Sequence, residues 1–166
     1  MFKEERSESL FSWDLIGDIG LGRPNLGPST SVAVYRLMQF TLRDVMIAQI
    51  GVEKTEQIFY DAGKLAGEQL YQNVITKKDN FEEFISELEK TLIELKIGIL
   101  KIEKEDLDCS GLPVSSEEIC TYDEGFLNGI FSSFTGATFK VKEVDCWCSG
   151  DRTCRFDVKS ITSLNQ

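Results

Sequence analysis

Cys120, Glu143, Cys146 and Cys154 stand in the spacing Cys-x22-Glu-x2-Cys-x7-Cys, in a chain that contains no histidine. Three thiolates and one carboxylate close a tetrahedral zinc shell without any imidazole. Thiolate is a soft ligand and carboxylate a harder one, and borderline zinc suits the mixture better than calcium or magnesium does. With all four bound, no coordination position stays open. Such a site is structural, not catalytic.

The same residues have a second reading. Ser149 to Arg152 reads as a hairpin turn, and Cys146 and Cys154 lie on either side of it. Residues facing each other across such a hairpin have Cβ atoms about 4.5–5.5 Å apart. That spacing also fits a cross-strand disulfide or two buried thiols. Glu143 adds a constraint. It precedes Cys146 by three positions, and strand side chains alternate with period two, so a regular strand points the two to opposite faces. A bulge or the strand end must turn one of them. Cys148 is the competing ligand, since it shares the face of Cys146 in a regular strand.

The elements that must position these groups follow from pattern. Residues 1–30 are punctuated by Gly17, Gly20, Gly22, Pro24, Gly27 and Pro28 and form an irregular arm. Phe11, Trp13, Leu15, Ile16 and Ile19 make it apolar enough to pack on the domain, or to serve as a lid or swapped arm. A helix is expected from Ser31 to Ile50, stopped by Gly51. A second spans about Val52 to Asn73, with Ile58, Phe59, Ala62, Ala66 and Leu70 at helical spacing and Gly63 and Gly67 beside them. Asn80 with Glu83 resembles a capping box opening a third helix to about Lys96. Ile97 to Glu103 reads as a strand and Asp108 to Ser110 as a short partner. Ser116 is positioned to cap a helix from Glu117 to Phe134 that carries Gly125 and Gly129. Thr138 to Cys148 and Thr153 to Ser160 make a closing hairpin. Helices segregated from a mainly antiparallel sheet define an α+β domain over residues 31–160, followed by a short tail, 161–166.

Composition excludes several functions. The 166 residues carry 18 Lys and Arg against 28 Asp and Glu, a formal net charge of −10. An acidic chain without a basic run is a poor partner for nucleic acid or an anionic membrane. There is no apolar run long enough to cross a bilayer, and the N-terminus lacks a signal-peptide core, so a cytoplasmic location is expected. In that setting five cysteines point to metal or thiols before a disulfide framework.

Catalytic constellations are not apparent either. Without histidine there is no Ser-His-Asp triad and no Cys-His pair. Gly17-Asp-Ile-Gly20-Leu-Gly22 follows no convincing strand and opens no helix, which argues against a dinucleotide site. Asp123 and Glu124 are adjacent and are expected on different helix faces as solvated charge. Cys109, near a strand end, reads as a buried thiol. The expectation is a binding protein and no enzyme.

The stretch from Cys120 through Tyr122, Gly125, Phe126, Leu127 and Gly129, followed by Glu143-Val-Asp-Cys146, Gly150-Asp151 and Cys154-Arg-Phe156, resembles the 4-vinyl reductase domain family. Tyr35-Arg-Leu37, Phe59-Tyr-Asp-Ala-Gly63 and Ala66-Gly67 look like its helical half. The resemblance covers about residues 32–158 and implies a fold like that of the vesicle-tethering TRAPP small subunits, helices on a roughly four-stranded sheet. The aromatic-sensing domains of bacterial phenol-responsive activators are similar. Their structural zinc implies Cys120, Glu143, Cys146 and Cys154 as ligands here. Their ligand lies in an apolar pocket between helices and sheet, which implies Tyr71, Tyr122, Phe126, Gly129, Phe139 and Trp147 as lining. Those sensors hold the phenol hydroxyl with a histidine, which this chain lacks, so an apolar or fatty molecule fits better than phenol.

The glycine pairs permit either close packing or a cavity, and the resemblance favours a cavity. Pairing of related domains through their first helices, together with apolar Val34, Leu37, Met38, Val45, Met46, Ile58 and Phe59, implies a homodimer. A zinc-stabilised binding domain for a hydrophobic small molecule is therefore expected. The alternatives are a protein-interaction module of the tethering type and an accessory component of tetrapyrrole vinyl reduction.

Overall fold

The computed structural model describes residues 5–100, 120–146, 151 and 154–161. The chain divides into two compact units, residues 1–44 and 45–166, whereas the sequence pattern drew a boundary after residue 30. The first unit holds a short 3-10 helix, Trp13–Ile16, one turn of helix α1, Ile19–Gly22, and most of α2, Val32–Ile50. Asp18 caps α1 by accepting from the Leu21 N–H at 2.9 Å. Helix α2 is apolar and exposed along Val34, Leu37, Met38 and Leu42.

In the second unit, α2 stops at Gly51, whose φ of +83° is open to glycine and strained for other residues. The same glycine opens α3, Val52–Asn73. Helix α4, Phe81–Glu94, begins as expected at Asn80, whose side chain accepts from the Glu83 N–H at 2.9 Å. It ends two residues earlier than the pattern suggested. Lys96 turns left-handed at φ +58°, and the N–H groups of Lys96 and Ile97 close back on Ile93 and Leu92 in a Schellman arrangement. Helix α5, Thr121–Thr135, stops at left-handed Gly136. Strands β1, Phe139–Asp145, and β2, Arg155–Ser160, pair antiparallel.

Among the described residues the fold is thus α+β, with five α-helices and a two-stranded sheet. The further strands expected at Ile97–Glu103 and Asp108–Ser110 run into residues 101–119, outside the described set, as do Ser116, Cys109 and the start of the helix expected from Glu117.

The packing of α3 on α5 turns on four glycines. A Cβ built on Gly63 would stand 2.0 Å from the Tyr122 carbonyl oxygen, and one on Gly67 2.1 Å from that of Phe126. Reciprocally, a Cβ on Gly125 would meet the Tyr60 oxygen at 2.0 Å and one on Gly129 the Lys64 oxygen at 2.1 Å. The two backbones touch, as small residues four apart allow. Of the two uses open to these glycines, direct contact occupies both pairs. The buried face of α3 is accordingly Thr55, Phe59, Gly63, Gly67 and Leu70, one step round from the stripe expected through Ala62, which is exposed. Beyond the crossing, Tyr71, Phe84 and Phe134 form an aromatic core, with Phe84 and Phe134 stacked at 3.9 Å between ring centres.

Candidate metal centre

Three pieces of chain converge at the start of α5. Cys120 is the residue that precedes the helix, Glu143 and Cys146 come from the end of β1, and Cys154 from the residue before β2. All four are buried, and one ligand atom from each lies within 4.8 Å of the others. Phe156 packs against the three cysteines and shields them.

The sulfur spacings discriminate between the readings. Cys120 Sγ is 3.9 Å from Cys146 Sγ and 3.5 Å from Cys154 Sγ, and the last two are 3.8 Å apart. A disulfide needs about 2.05 Å. Tetrahedral ligands at the usual zinc–sulfur distance of about 2.3 Å stand about 3.8 Å from one another, because a tetrahedron's edge is about 1.63 times its centre-to-vertex length. The triangle of sulfurs is the size of one face of such a shell.

Glu143 supplies the fourth corner, and the strand geometry explains how. Glu143 pairs with Phe156 and Asp145 with Arg155, so β1 advances two residues where β2 advances one. That irregularity is a bulge at exposed Val144. It lets Glu143 and Cys146, three apart, serve the same site. Both Glu143 carboxylate oxygens are buried, and among the described residues they face the cysteine thiols with no N–H or O–H donor. A buried polar atom without a donor is rare and points to a missing partner. Its burial pushes the Glu143 carboxyl up to about 7. The Cys120 thiol is also pushed up, first by its hydrogen bond with Cys154 and then by burial. A divalent cation would reverse both, since it holds thiolate and carboxylate in their ionised forms.

Neighbouring groups hold the ligands in place. Asp151 accepts from the Cys146 N–H at 3.2 Å while its own N–H donates to the Cys146 carbonyl at 3.2 Å, which clamps the hairpin end. The Glu143 N–H donates to Glu124 Oε1 at 2.8 Å, and Lys142 Nζ donates to the same oxygen at 3.0 Å. Glu124 is buried, at variance with the solvated role its helical position suggested. Next to it, Gly125 draws this side of α5 onto α3. Tyr60 is pushed up by burial and then by the Glu124 carboxylate. Asn128, one turn further along α5, donates to the Phe139 carbonyl at 2.5 Å. Neither Glu124 nor Asn128 stood out in the sequence as more than a helical polar residue.

The described residues among those expected to line a pocket make these contacts. Tyr71 and Phe139 belong to the aromatic core, through Phe84 and Phe131 respectively. Tyr122 and Phe126 stack on each other at 6.4 Å along α5. Gly129 faces the α3 backbone. Trp147 and the rival ligand Cys148 lie outside the described residues.

Comparison with known proteins follows this geometry. Residues 100–160 match the model of the 4-vinyl reductase domain. The chain is 27% identical over 146 residues to the uncharacterised protein MJ1642 of Methanocaldococcus jannaschii, covering 82% of this chain and 81% of that one. It is 25% identical over 126 residues to MJ0150 of the same organism, with 69% of each covered. A solved vinyl-4-reductase family protein from that organism superposes with a TM-score of 0.58 at 18% identity, over 93% of this chain and 100% of its own. The phenol-responsive sensory domain of the transcription activator PoxR, solved with phenol, superposes with a TM-score of 0.52 at 15% identity, over 72% of this chain and 71% of its own. At these identities the superpositions establish a shared fold.

Proposed function

We propose, for a chain that resembles the 4-vinyl reductase domain family, that it is a zinc-stabilised binding domain for a hydrophobic or aromatic small molecule, acting as a sensor or carrier. The observation that carries the zinc half is the buried Glu143 carboxylate, with no N–H or O–H donor among the described residues, beside three sulfurs at tetrahedral spacing. Cys120, Glu143, Cys146 and Cys154 would hold the ion. Four protein ligands leave no open position, so the ion's contribution is to cross-link the start of α5 to the hairpin. The match to the family's domain and the fold shared with a phenol-sensing domain support the ligand half. A fuller, four-stranded sheet of the TRAPP-small-subunit type, completed by the chain between residues 97 and 110, belongs to the same proposal, as does a pocket bounded by Tyr71, Tyr122, Phe126, Gly129, Phe139 and Trp147.

The exposed apolar residues of α2, Val34, Leu37, Met38 and Val45, favour a homodimer formed through that helix. They equally support the interaction-module reading, in which the same face takes a different protein. No helix among the described residues is long and apolar enough to cross a membrane, and we place the protein in the cytoplasm.

Native mass spectrometry after gentle purification tests metal, ligand and assembly together. One zinc per chain with a retained apolar molecule is the expected result. Zinc without any ligand, and no thermal shift from a panel of fatty acids, aromatics and tetrapyrroles, would leave the interaction module as the better account.

A further inference from the structure

Glu124 is a buried carboxylate that no chemistry of its own explains. Taking a carboxylate out of water is tolerated only where strong donors replace the lost hydration. Among the described residues two donors reach it, both at Oε1: Lys142 Nζ at 3.0 Å and the Glu143 N–H at 2.8 Å. The Lys142 side chain is 52% exposed, so water weakens that ion pair. The Glu143 N–H is different. It is a buried donor that must find an acceptor, and it belongs to the residue whose side chain stands among the three sulfurs. It also lies at the last regular pair before the bulge, where the ladder fixes the backbone from one side only.

On the zinc reading above, we infer that Glu124 is the positioning residue of the metal centre. Its carboxylate pins the Glu143 peptide from α5 and thereby aims the Glu143 side chain at the sulfurs. Asn128 docks the opposite end of β1 onto the same helix through the Phe139 carbonyl, so Glu124 works against a strand already held at its far end. Metal-ligand orientation by groups outside the coordination shell is general, and its loss costs about 10–100-fold in metal affinity.

The test compares wild type with Glu124→Gln, Glu124→Asp and Lys142→Met, reading zinc affinity by chelator competition and the absorption spectrum of the Co2+-loaded protein. Glu124→Gln keeps an acceptor at the same reach, and Lys142→Met leaves the peptide contact intact. Both are expected to lose less than about tenfold in affinity. Glu124→Asp withdraws the acceptor by one methylene. It is expected to lose about 10–100-fold and to shift the Co2+ ligand-field bands as the Glu143 oxygen leaves its corner.

A second variant works from the other side. With the 143 peptide pinned, the shortened carboxylate of Glu143→Asp cannot follow the ion, and affinity falls by the same factor. A mobile peptide would follow and lose nothing. Wild-type affinity and spectrum in both Asp variants overturn the inference, as does a loss of stability that is equal in metal-free and zinc-loaded protein at unchanged affinity. A wild-type chain that takes up no zinc overturns the underlying reading as well, so the two failures are told apart.

Discussion

Metal-free and zinc-loaded protein should answer to pH in opposite directions, and Glu143 sets the size of the effect. In the folded, metal-free chain burial raises its carboxyl from 4.5 to about 7. Below about pH 4.5 the group is protonated in both folded and unfolded chains, and its burial as a neutral acid leaves stability at its full value. Between 4.5 and 7 the unfolded chain ionises and the folded chain does not. The folded state then binds more protons, so stability falls as pH rises. At about 1.36 kcal/mol per unit, 2.5 units amount to about 3 kcal/mol, fully lost above pH 7. Zinc inverts the slope, because ligands must give up protons to bind it and stability then rises with pH.

The isolating control is Glu143→Gln, which keeps the shape and cannot ionise. Urea denaturation of chelator-treated, reduced protein at pH 5, 6, 7 and 8 is the assay. Metal-free Glu143→Gln should gain on metal-free wild type by about 2.5 kcal/mol between pH 5 and pH 8, since part of the effect is already spent at pH 5. With zinc present the order should reverse at pH 8, since the variant lacks a ligand. Parallel stability curves for the two metal-free proteins would refute the claim that Glu143 is buried without a partner.

Three further outcomes are expected. Cys146→Ala should abolish stoichiometric zinc while Cys148→Ala keeps it, and metal analysis of the purified variants decides between the two sulfurs. Gly129→Ala gains about 1 kcal/mol in helix propensity but drives a methyl to 2.1 Å from the Lys64 carbonyl oxygen, so it should destabilise the protein by about 2 kcal/mol or more in a thermal or urea melt. A stabilised variant would show that α3 and α5 do not touch at this point. Light scattering should give twice 18.8 kDa for wild type and the single-chain mass for Leu37→Glu with Met38→Glu, whereas 18.8 kDa for wild type at micromolar concentration would exclude the homodimer.

What the sequence made legible and what it hid divides along a physical line. Local signals were readable. Gly51 as the joint between two helices, Asn80 as a cap and the hairpin around Asp151 all depend on residues within a few positions of one another. The need for a bulge was readable as well, because a three-residue spacing on a period-two strand forces one if Glu143 and Cys146 are to meet, and the bulge is there at Val144. Burial that depends on which helix arrives next was not readable. Glu124 looks solvated on a helical wheel, and becomes buried only because Gly125 brings α3 to within backbone contact. The same contact turned the buried face of α3 from Ala62 to Gly63. Aromatic neighbours are long-range facts too. Nothing near Tyr71 in the chain announces that it will meet Phe84 and Phe134.

The position of Cys120, Glu143, Cys146 and Cys154 also says what a metal held there would do. Among the described residues β1 and β2 form a two-stranded pair, and a hairpin draws much of its stability from what it packs against. Its inner face rests on α5, and its regular register ends at the bulge. Cys120 stands at the start of α5 and Cys154 at the start of β2, so an ion bound by both closes a loop over the whole helix and first strand. Cross-linking a loop of that length removes conformations mainly from the unfolded chain. The ion therefore acts where apolar burial is thinnest, and α5 and the hairpin should lose their order together when it is withdrawn. Hydrogen exchange on the chelated protein should show β1, β2 and the first turn of α5 opening as one unit while α4 keeps its protection, and uniform deprotection of all four elements would contradict this local role.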